Sequence, residues 1–430
     1  MKFRAKRSTA EVLTTEQAAG ARQAVPPVAP PVAGPGEAAA ARVPMQPAAP
    51  RSAPPPPEDP ELIRASLAAL EPYADQLAGY FYATLFNRYP EVRELFPVDL
   101  DPQQDRLLRA LLMVVELVDD PANLVAFCSH LGRDHRKFGT ETAHYGAVGE
   151  CLLATLAHFA GPAWTADTAA AWTRAYTTVA EVMDQAAQAD AAVHPASWTA
   201  RIVAHRRHSQ DLAEFTVRTD QPYPFTGGQY VSMETPWAPR VWRYYSPANA
   251  PRPDGTLTFH VRAVTGGRVS NALVRRAAVG DAVRLGCAQG DMVLDPRSPR
   301  DVVCVAGGTG LAPIRALIEQ AALDGVRRRM DVFLGSRTAA DMYGLDELLA
   351  LGQRHRWLTV RAAIADQDAH DGPGFLPRVL AEAGPWDRHD AYLAGPGPMV
   401  VTAGRVLMRA GMPLERIYHD PFVTLEEPTS

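Results

Sequence analysis

Three short stretches of this sequence carry residue types able to do chemistry. The first is Ser129-His130-Leu131-Gly132-Arg133-Asp134-His135-Arg136-Lys137-Phe138-Gly139, with His144-Tyr145 soon after it. A helical run ends between Gly132 and Gly139 and another begins near Glu141. His135 therefore closes one helix while Tyr145 sits in the first turns of the next, and both can face one pocket. A lone histidine in such a turn is more often exposed or structurally satisfied than a ligand, so its company decides. The second stretch is Arg243-Tyr244-Tyr245-Ser246, a guanidinium fork beside phenols and a hydroxyl at the end of a strand. The third is Gly307-Gly308-Thr309-Gly310-Leu311-Ala312-Pro313, between an apolar strand and a helix over residues 314–322. Glycines in that position let a pyrophosphate approach backbone N–H groups and the positive helix end, although the spacing is not G-x-G-x-x-G.

The elements that must position these residues follow from composition and period. A chain of 430 residues is too long for one ordinary core. A net charge of −5 with no basic stripe gives no nucleic-acid footprint. No apolar run reaches the roughly 18 residues of a membrane span. Cys128, Cys151, Cys287 and Cys304 lie far apart, which argues against zinc-finger or iron–sulfur ligation and fits a reducing cytoplasm. Residues 1–59 are Ala/Pro-rich and read as a disordered tail whose basic start lacks the apolar core of a signal peptide. Over residues 60–192, Leu62, Leu67, Leu70, Tyr73, Leu77, Tyr80 and Phe81 recur at helical spacing, and proline turns punctuate about seven helices. After His194-Pro195 the period shortens. Alternation over 198–205, 212–218 and 256–264 predicts a small antiparallel barrel within 195–298. From 299 to 430 the pattern is strand–helix, with a buried parallel strand at Val302-Val303-Cys304-Val305-Ala306 and further strands over 330–334, 359–365 and 390–394.

The ordered features over 60–190 resemble the globin domain of the flavohaemoglobins. Tyr80-Phe81-Tyr82-Ala83-Thr84-Leu85-Phe86 is similar to the family's second helix, which makes Tyr82 the distal tyrosine. Pro90-Glu91-Val92-Arg93-Glu94-Leu95-Phe96 is similar to the segment whose phenylalanine, Phe96, packs on the haem. The resemblance puts the iron on His135, a proximal tyrosine at Tyr145, and the distal glutamine and leucine at Gln103 and Leu107, with Gln104 as the alternative glutamine. Tyr82 and the glutamine would donate hydrogen bonds to dioxygen at the iron, and Leu107 would limit the room beside it. The barrel resembles the flavin domain of the ferredoxin-NADP reductase superfamily. Arg243 would then meet the flavin phosphates, Tyr245 would lie on the ring and Ser246 at its reactive edge, flanked by Tyr230 and Tyr244. Gly267, Val269 and Ser270 would give backbone N–H groups to the same phosphates. Gly307, Gly308, Thr309, Gly310, Leu311 and Ala312 resemble the nicotinamide-nucleotide loop, and Gly395-Pro396-Gly397-Pro398-Met399 the turn beside the nicotinamide. Asp420 and Phe422 resemble the acid and aromatic of the tail near the flavin.

The implied architecture is multidomain: an all-α globin, an antiparallel β-barrel FAD domain and an α/β parallel-sheet NAD(P)-binding domain. The implied cofactors are haem b, FAD and NADH or NADPH; Gly335-Ser336-Arg337 leaves the choice open, with a lean to NADH. The implied reaction is oxidation of nitric oxide to nitrate with O2, in the cytoplasm, and the sequence gives the tail no partner. Two departures touch the charge around the iron. Ala187 stands where the family has a proximal glutamate, with Asp184 one turn earlier, and Asp134 stands where the family often has lysine. A reductase-coupled oxygen or redox sensor, or an NAD(P)H-flavin reductase for a separate acceptor, are the other readings.

Overall fold

Helix-forming sequence dominates as far as Ala191. The computed structural model describes residues 58–326, 328–338, 342–364, 375–421 and 425, so the expected tail, apart from its last two positions, lies outside the described residues. The α-helices of the first part are α1 (Asp59–Leu70), α2 (Ala74–Arg88), α3 (Asp101–Glu116), α4 (Pro121–His135), α5 (Thr142–Ala160) and α6 (Ala166–Ala191). These are six among the described residues, where the pattern suggested about seven. Residues 90–95 form only a 3-10 turn, framed by Pro90 and Pro97, which cannot donate to a helix ladder. The first helix starts at Asp59 because that carboxylate, almost wholly buried, takes two hydrogen bonds from Arg174 on α6, at 2.6 and 2.8 Å. Ile63, Leu77, Phe81, Leu85, Leu156 and Trp172 fill the core between the helices. Burying each of the larger side chains contributes roughly 1.5–3 kcal/mol.

Six antiparallel strands follow: β1 (Trp198–Arg207), β2 (Leu212–Thr219), β3 (Tyr230–Thr235), β4 (Ala238–Tyr245), β5 (Thr256–Arg262) and β6 (Ala282–Gln289). Their order is β4-β3-β6-β1-β2-β5. The two edges meet just beyond β4, where Pro247 bridges Phe259 and the Ala248 N–H donates to the Thr258 carbonyl at 2.7 Å. This contact curls the sheet around Trp198, Phe215, Met233, Phe259 and Leu285, and α7 (Arg268–Arg275) covers one end. The strand over 282–289 was not expected from sequence, yet it joins β3 to β1.

The last part alternates β7 (Asp301–Gly307), α8 (Leu311–Leu323), β8 (Met330–Ser336), α9 (Leu345–Arg354), β9 (Leu358–Ile364), α10 (Phe375–Ala383), β10 (His389–Ala394), α11 (Gly397–Arg409) and β11 (Ile417–His419). The sheet is parallel, in the order β11-β10-β7-β8-β9. Along β7, Val302, Cys304 and Ala306 enter the core that α8 covers, while Val303 and Val305 enter the opposite core with α10 and α11. That two-sided burial is why the strand reads as an unbroken apolar run. No helix among the described residues is long and apolar enough to cross a membrane.

Candidate functional site

Pro121 at the first turn and Asp120 as its cap start α4; the Asp120 carboxylate accepts from the Asn123 N–H at 3.2 Å. Gly139, at φ 82°, ends the 3-10 extension beyond His135. Glu141 and His144 cap α5, so Tyr145 falls in its first turns. The crossing of α4 over α6 is backbone-tight: a Cβ on Gly132 would lie 2.1 Å from the Met183 carbonyl oxygen. This contact fixes the helix turn that carries His135. His135 is half-buried, and desolvation of its ring lowers its pKa, so the neutral form is favoured. Its Nδ1 lies 2.7 Å from the Leu131 carbonyl, which accepts a hydrogen bond only if Nδ1 carries the proton. The lone pair is then on Nε2, the tautomer and orientation a haem iron needs.

Tyr82, Phe86 and Phe96 form an aromatic trio, with Tyr82–Phe96 and Phe86–Phe96 centroids 5.5 and 5.3 Å apart. The Tyr82 hydroxyl donates to the Gln103 carbonyl at 3.3 Å, and burial raises its pKa, keeping it a donor. The Gln103 side-chain oxygen is buried with no hydrogen-bond partner among the described residues. Leu107, one turn along α3, packs partly buried against the same core. An orphaned buried amide beside a phenol in an apolar setting is what a pocket awaiting a polar guest presents. The structure thus brings Tyr82, Phe96, Gln103 and Leu107 together. Tyr145 is half-buried, its pKa pushed up to about 12 by burial and by Asp184. No hydrogen bond joins it to His135 among the described residues. Asp184 instead accepts from Thr142 and from Gln188, each at 2.7 Å, and Ala187 is half-buried on α6.

At the end of β4 the exposed Arg243 donates to the Trp242 carbonyl at 2.9 Å, and no ion pair with a carboxylate forms there among the described residues. Partial desolvation lowers its pKa, and its other donors suit an anionic diphosphate. Tyr245 packs against the barrel core, with Ser246 next along the chain. Tyr230 and Tyr244 meet edge to face at 5.2 Å. Gly267 caps α7, where a Cβ would lie 2.5 Å from Ser270 Oγ; Val269 puts its side chain into the core, leaving its backbone to the turn. First-turn N–H groups there have no partner within the helix.

The nucleotide-loop glycines differ in purpose. Gly308, at φ 53°, has open space above it, whereas a Cβ on Gly310 would lie 2.1 Å from the Ala394 carbonyl oxygen. The helix α8 begins at Leu311, three residues before the expected start, with Leu311 and Ala312 buried and Thr309 in the preceding turn. Sequence reasoning missed Tyr343, whose hydroxyl donates to the Gly308 carbonyl at 3.0 Å and holds the loop from outside. Asp420 has a buried oxygen without a partner among the described residues, and burial pushes its pKa up to about 6. Phe422 lies outside the described residues.

Fold and sites together define an oxidoreductase in which a globin is joined to FAD- and NAD-binding reductase domains. Residues 79–183 match the globin family, 199–293 the oxidoreductase FAD-binding domain and 304–404 the oxidoreductase NAD-binding domain. A flavohemoprotein of Bordetella pertussis is 28% identical over 400 residues, which cover 86% of this chain and 98% of the relative. A xylene/toluene monooxygenase electron transfer component of Pseudomonas putida is 34% identical over 236 residues, 54% of this chain and 67% of its own length. A flavohemoglobin from Malassezia yamatoensis, solved with bound FAD and heme, superposes with a TM-score of 0.70 at 16% identity, covering 85% of this chain and 98% of that one. The chain thus carries the globin, FAD-binding and NAD-binding domains of the flavohaemoproteins and resembles them along most of its length. Its cofactors are haem, FAD and a nicotinamide nucleotide, and the neutral imidazole, the exposed arginine fork and the open glycine turn fit them in that order.

Proposed function

We propose that this chain passes electrons from NADH or NADPH through FAD to a haem held by His135, where O2 and nitric oxide combine to nitrate. The observation that carries the proposal is the meeting of Tyr82 with a Gln103 side chain whose buried oxygen has no partner among the described residues, in an aromatic-lined setting on a chain that also holds a reductase. When bound, the cofactors supply hydride acceptance, one-electron transfer and a ferrous site for O2. Each nitric oxide needs one O2 and one electron to become nitrate, so one NADH serves two turnovers.

The protein's part is binding, orientation and exclusion. His135 holds the iron through Nε2, with Nδ1–H fixed on Leu131. The Tyr82 hydroxyl, kept protonated by burial, and the Gln103 amide supply hydrogen bonds where negative charge develops on oxygen. Phe96 and Leu107 restrict the space to diatomic ligands. Tyr145, held protonated, packs on the proximal side. Arg243 and the N–H groups of residues 267–270 hold the flavin phosphates, Tyr245 and Ser246 face its ring, and Tyr230 and Tyr244 close the flank. Gly307, Gly308, Thr309 and Gly310 lay backbone against the nucleotide pyrophosphate, and Leu311 and Ala312 anchor that turn. We place the protein in the cytoplasm, where its four free cysteines stay reduced. The test is nitrate counted per NADH consumed in air with nitric oxide. Two nitrates per NADH supports the proposal; NADH oxidation without nitrate contradicts it.

One observation favours a second reading. Among the described residues His135 is oriented by a backbone carbonyl and has no hydrogen-bonded carboxylate partner, which gives little anionic character to the imidazole. A haem so held suits reversible oxygen binding, as in a reductase-coupled sensor. Stable oxygen binding that persists unchanged during exposure to nitric oxide would favour it.

A further inference from the structure

The end of α4 reaches across to the barrel with a side chain that is expensive to bury. Lys137 is 4% exposed, and its ammonium pairs with Asp134, the residue beside His135. The same ammonium donates to Ser232 Oγ on β3 at 3.0 Å, and Gln289 on β6 donates to Asp134 at 2.7 Å. The ion pair is thus completed by one hydrogen bond in each direction across the seam, which is how a buried lysine is made tolerable. The barrel also makes room for it. A Cβ on Gly286 would lie 2.3 Å from Ser232 Oγ and 3.2 Å from Lys137 Cδ, so only glycine leaves the lysine its channel. The Trp242 ring sits 5.5 Å from the ammonium and extends the contact with a cation–π interaction.

The register places this contact against the flavin motif. Ser232 pairs with Tyr244 across β3 and β4, and Gln289 pairs with Tyr230 across β6 and β3. One residue away on the other side is His135. We propose that Asp134 and Lys137 form a latch that seats the iron-bearing helix on the flavin strands, and so act as positioning residues for electron passage between the two cofactors. The charge of Asp134, half-buried beside His135, is explained by its task of holding Lys137. The latch rests on the flavin-to-haem path proposed above and is independent of what the haem then reacts with. Two electrons enter the flavin with hydride from the nicotinamide, and each one leaving it converts one ferric iron to ferrous. The latch sets the geometry of the second event and takes no part in the first.

The test compares the full-length holoprotein with two variants, Lys137→Ala on the globin side and Ser232→Ala/Gln289→Ala on the barrel side. The second leaves every globin residue in place and guards against a globin that fails to fold. In anaerobic rapid mixing with NADH, both variants should bleach their flavin at the parent rate but reduce the haem at least about tenfold more slowly. Amide exchange over residues 230–235 and 282–289 should rise in both, a readout independent of turnover. Haem reduction within twofold of the parent in both variants, with unchanged exchange, overturns the latch. Slowing in Lys137→Ala alone also overturns it, because the lysine would then act within the globin. A parent protein whose flavin is bleached but whose haem stays ferric overturns the path and the latch together.

Discussion

On the proposed assignment, the globin and the reductase would hold their cofactors by opposite means. In the globin, single side chains would do the work from different helices: His135 at the end of α4, Tyr82 on α2, and Gln103 and Leu107 on α3. In the nucleotide turn of the reductase, the backbone would do most of it, where glycine lets main chain meet main chain, as at Gly310 against Ala394. The difference predicts how each half fails. A side-chain site is lost by one truncation that leaves the fold intact, whereas a backbone site is lost by adding a single methyl group.

The largest expected effect is on the side-chain site. His135→Ala should remove specific haem retention entirely, while FAD content and NADH–ferricyanide activity stay near parent values, since the cores are separate. Haem content and absorption spectra check it. Normal haem content in the variant would mean another ligand and would erase the contrast.

The converse test is Gly310→Ala. The added Cβ would meet a carbonyl held in the β10 turn, an overpacking cost of about 1–3 kcal/mol. NADH oxidation should fall at least about tenfold with haem and FAD retained. At Gly308 the space is open and the strain comes from its left-handed φ alone, about 1–2 kcal/mol. Gly308→Ala should therefore be the milder of the two in steady-state kinetics. The reverse ranking would show that the tight turn is not what shapes the nucleotide site.

The same difference explains what sequence could reveal. A backbone site needs contiguous small residues, so Gly307–Gly310 stands out in one dimension; the Arg243–Ser246 run does so because its side chains are adjacent in sequence, and β7 because both of its faces are buried. The turn between the His135 helix and the Tyr145 helix was legible because a glycine ends the one and a capping pair starts the other. The structure places Tyr82 beside Phe96 and Gln103, and only their order along the chain had hinted at it. Contacts set by tertiary distance left no trace. Asp134 and Gln289 are 155 residues apart, and Lys137 alone reads as one more surface lysine. Tyr343 reaches Gly308 from 35 residues away. The strand β6 was missed because its central Leu285-Gly286-Cys287-Ala288 blurs the alternation, and the glycine is there to admit Lys137. The short β11 has only three residues and takes its pairing from β10.

A smaller effect sharpens the account of the distal side. Tyr82→Phe keeps the ring packing against Phe86 and Phe96 but removes the hydroxyl. Losing a hydrogen bond of about 1–1.5 kcal/mol should speed O2 release roughly tenfold, with haem content unchanged. Flash photolysis measures it, and an unchanged release rate would place Tyr82 in a packing role only.

The last effect is a pH dependence in the reductase. Burial raises the folded Asp420 carboxyl to about 6, above the roughly 3.9 of a free aspartate. Between those values the folded protein keeps a proton that the unfolded chain has lost, so stability falls as pH rises through the window. In flavin-free protein, Asp420→Asn should raise Tm above about pH 6 and match the parent below about pH 4. A constant difference across that range would show that Asp420 is not buried as an acid.

The central claim is that one chain carries electrons from a nicotinamide, through a backbone-held flavin, to an iron held by a single histidine. The most direct measurement is the absorption of the full-length holoprotein, without air, after one equivalent of NADH. Flavin bleaching followed by conversion of the haem band from ferric to ferrous is the predicted result. A bleached flavin beside a haem that stays ferric would contradict it.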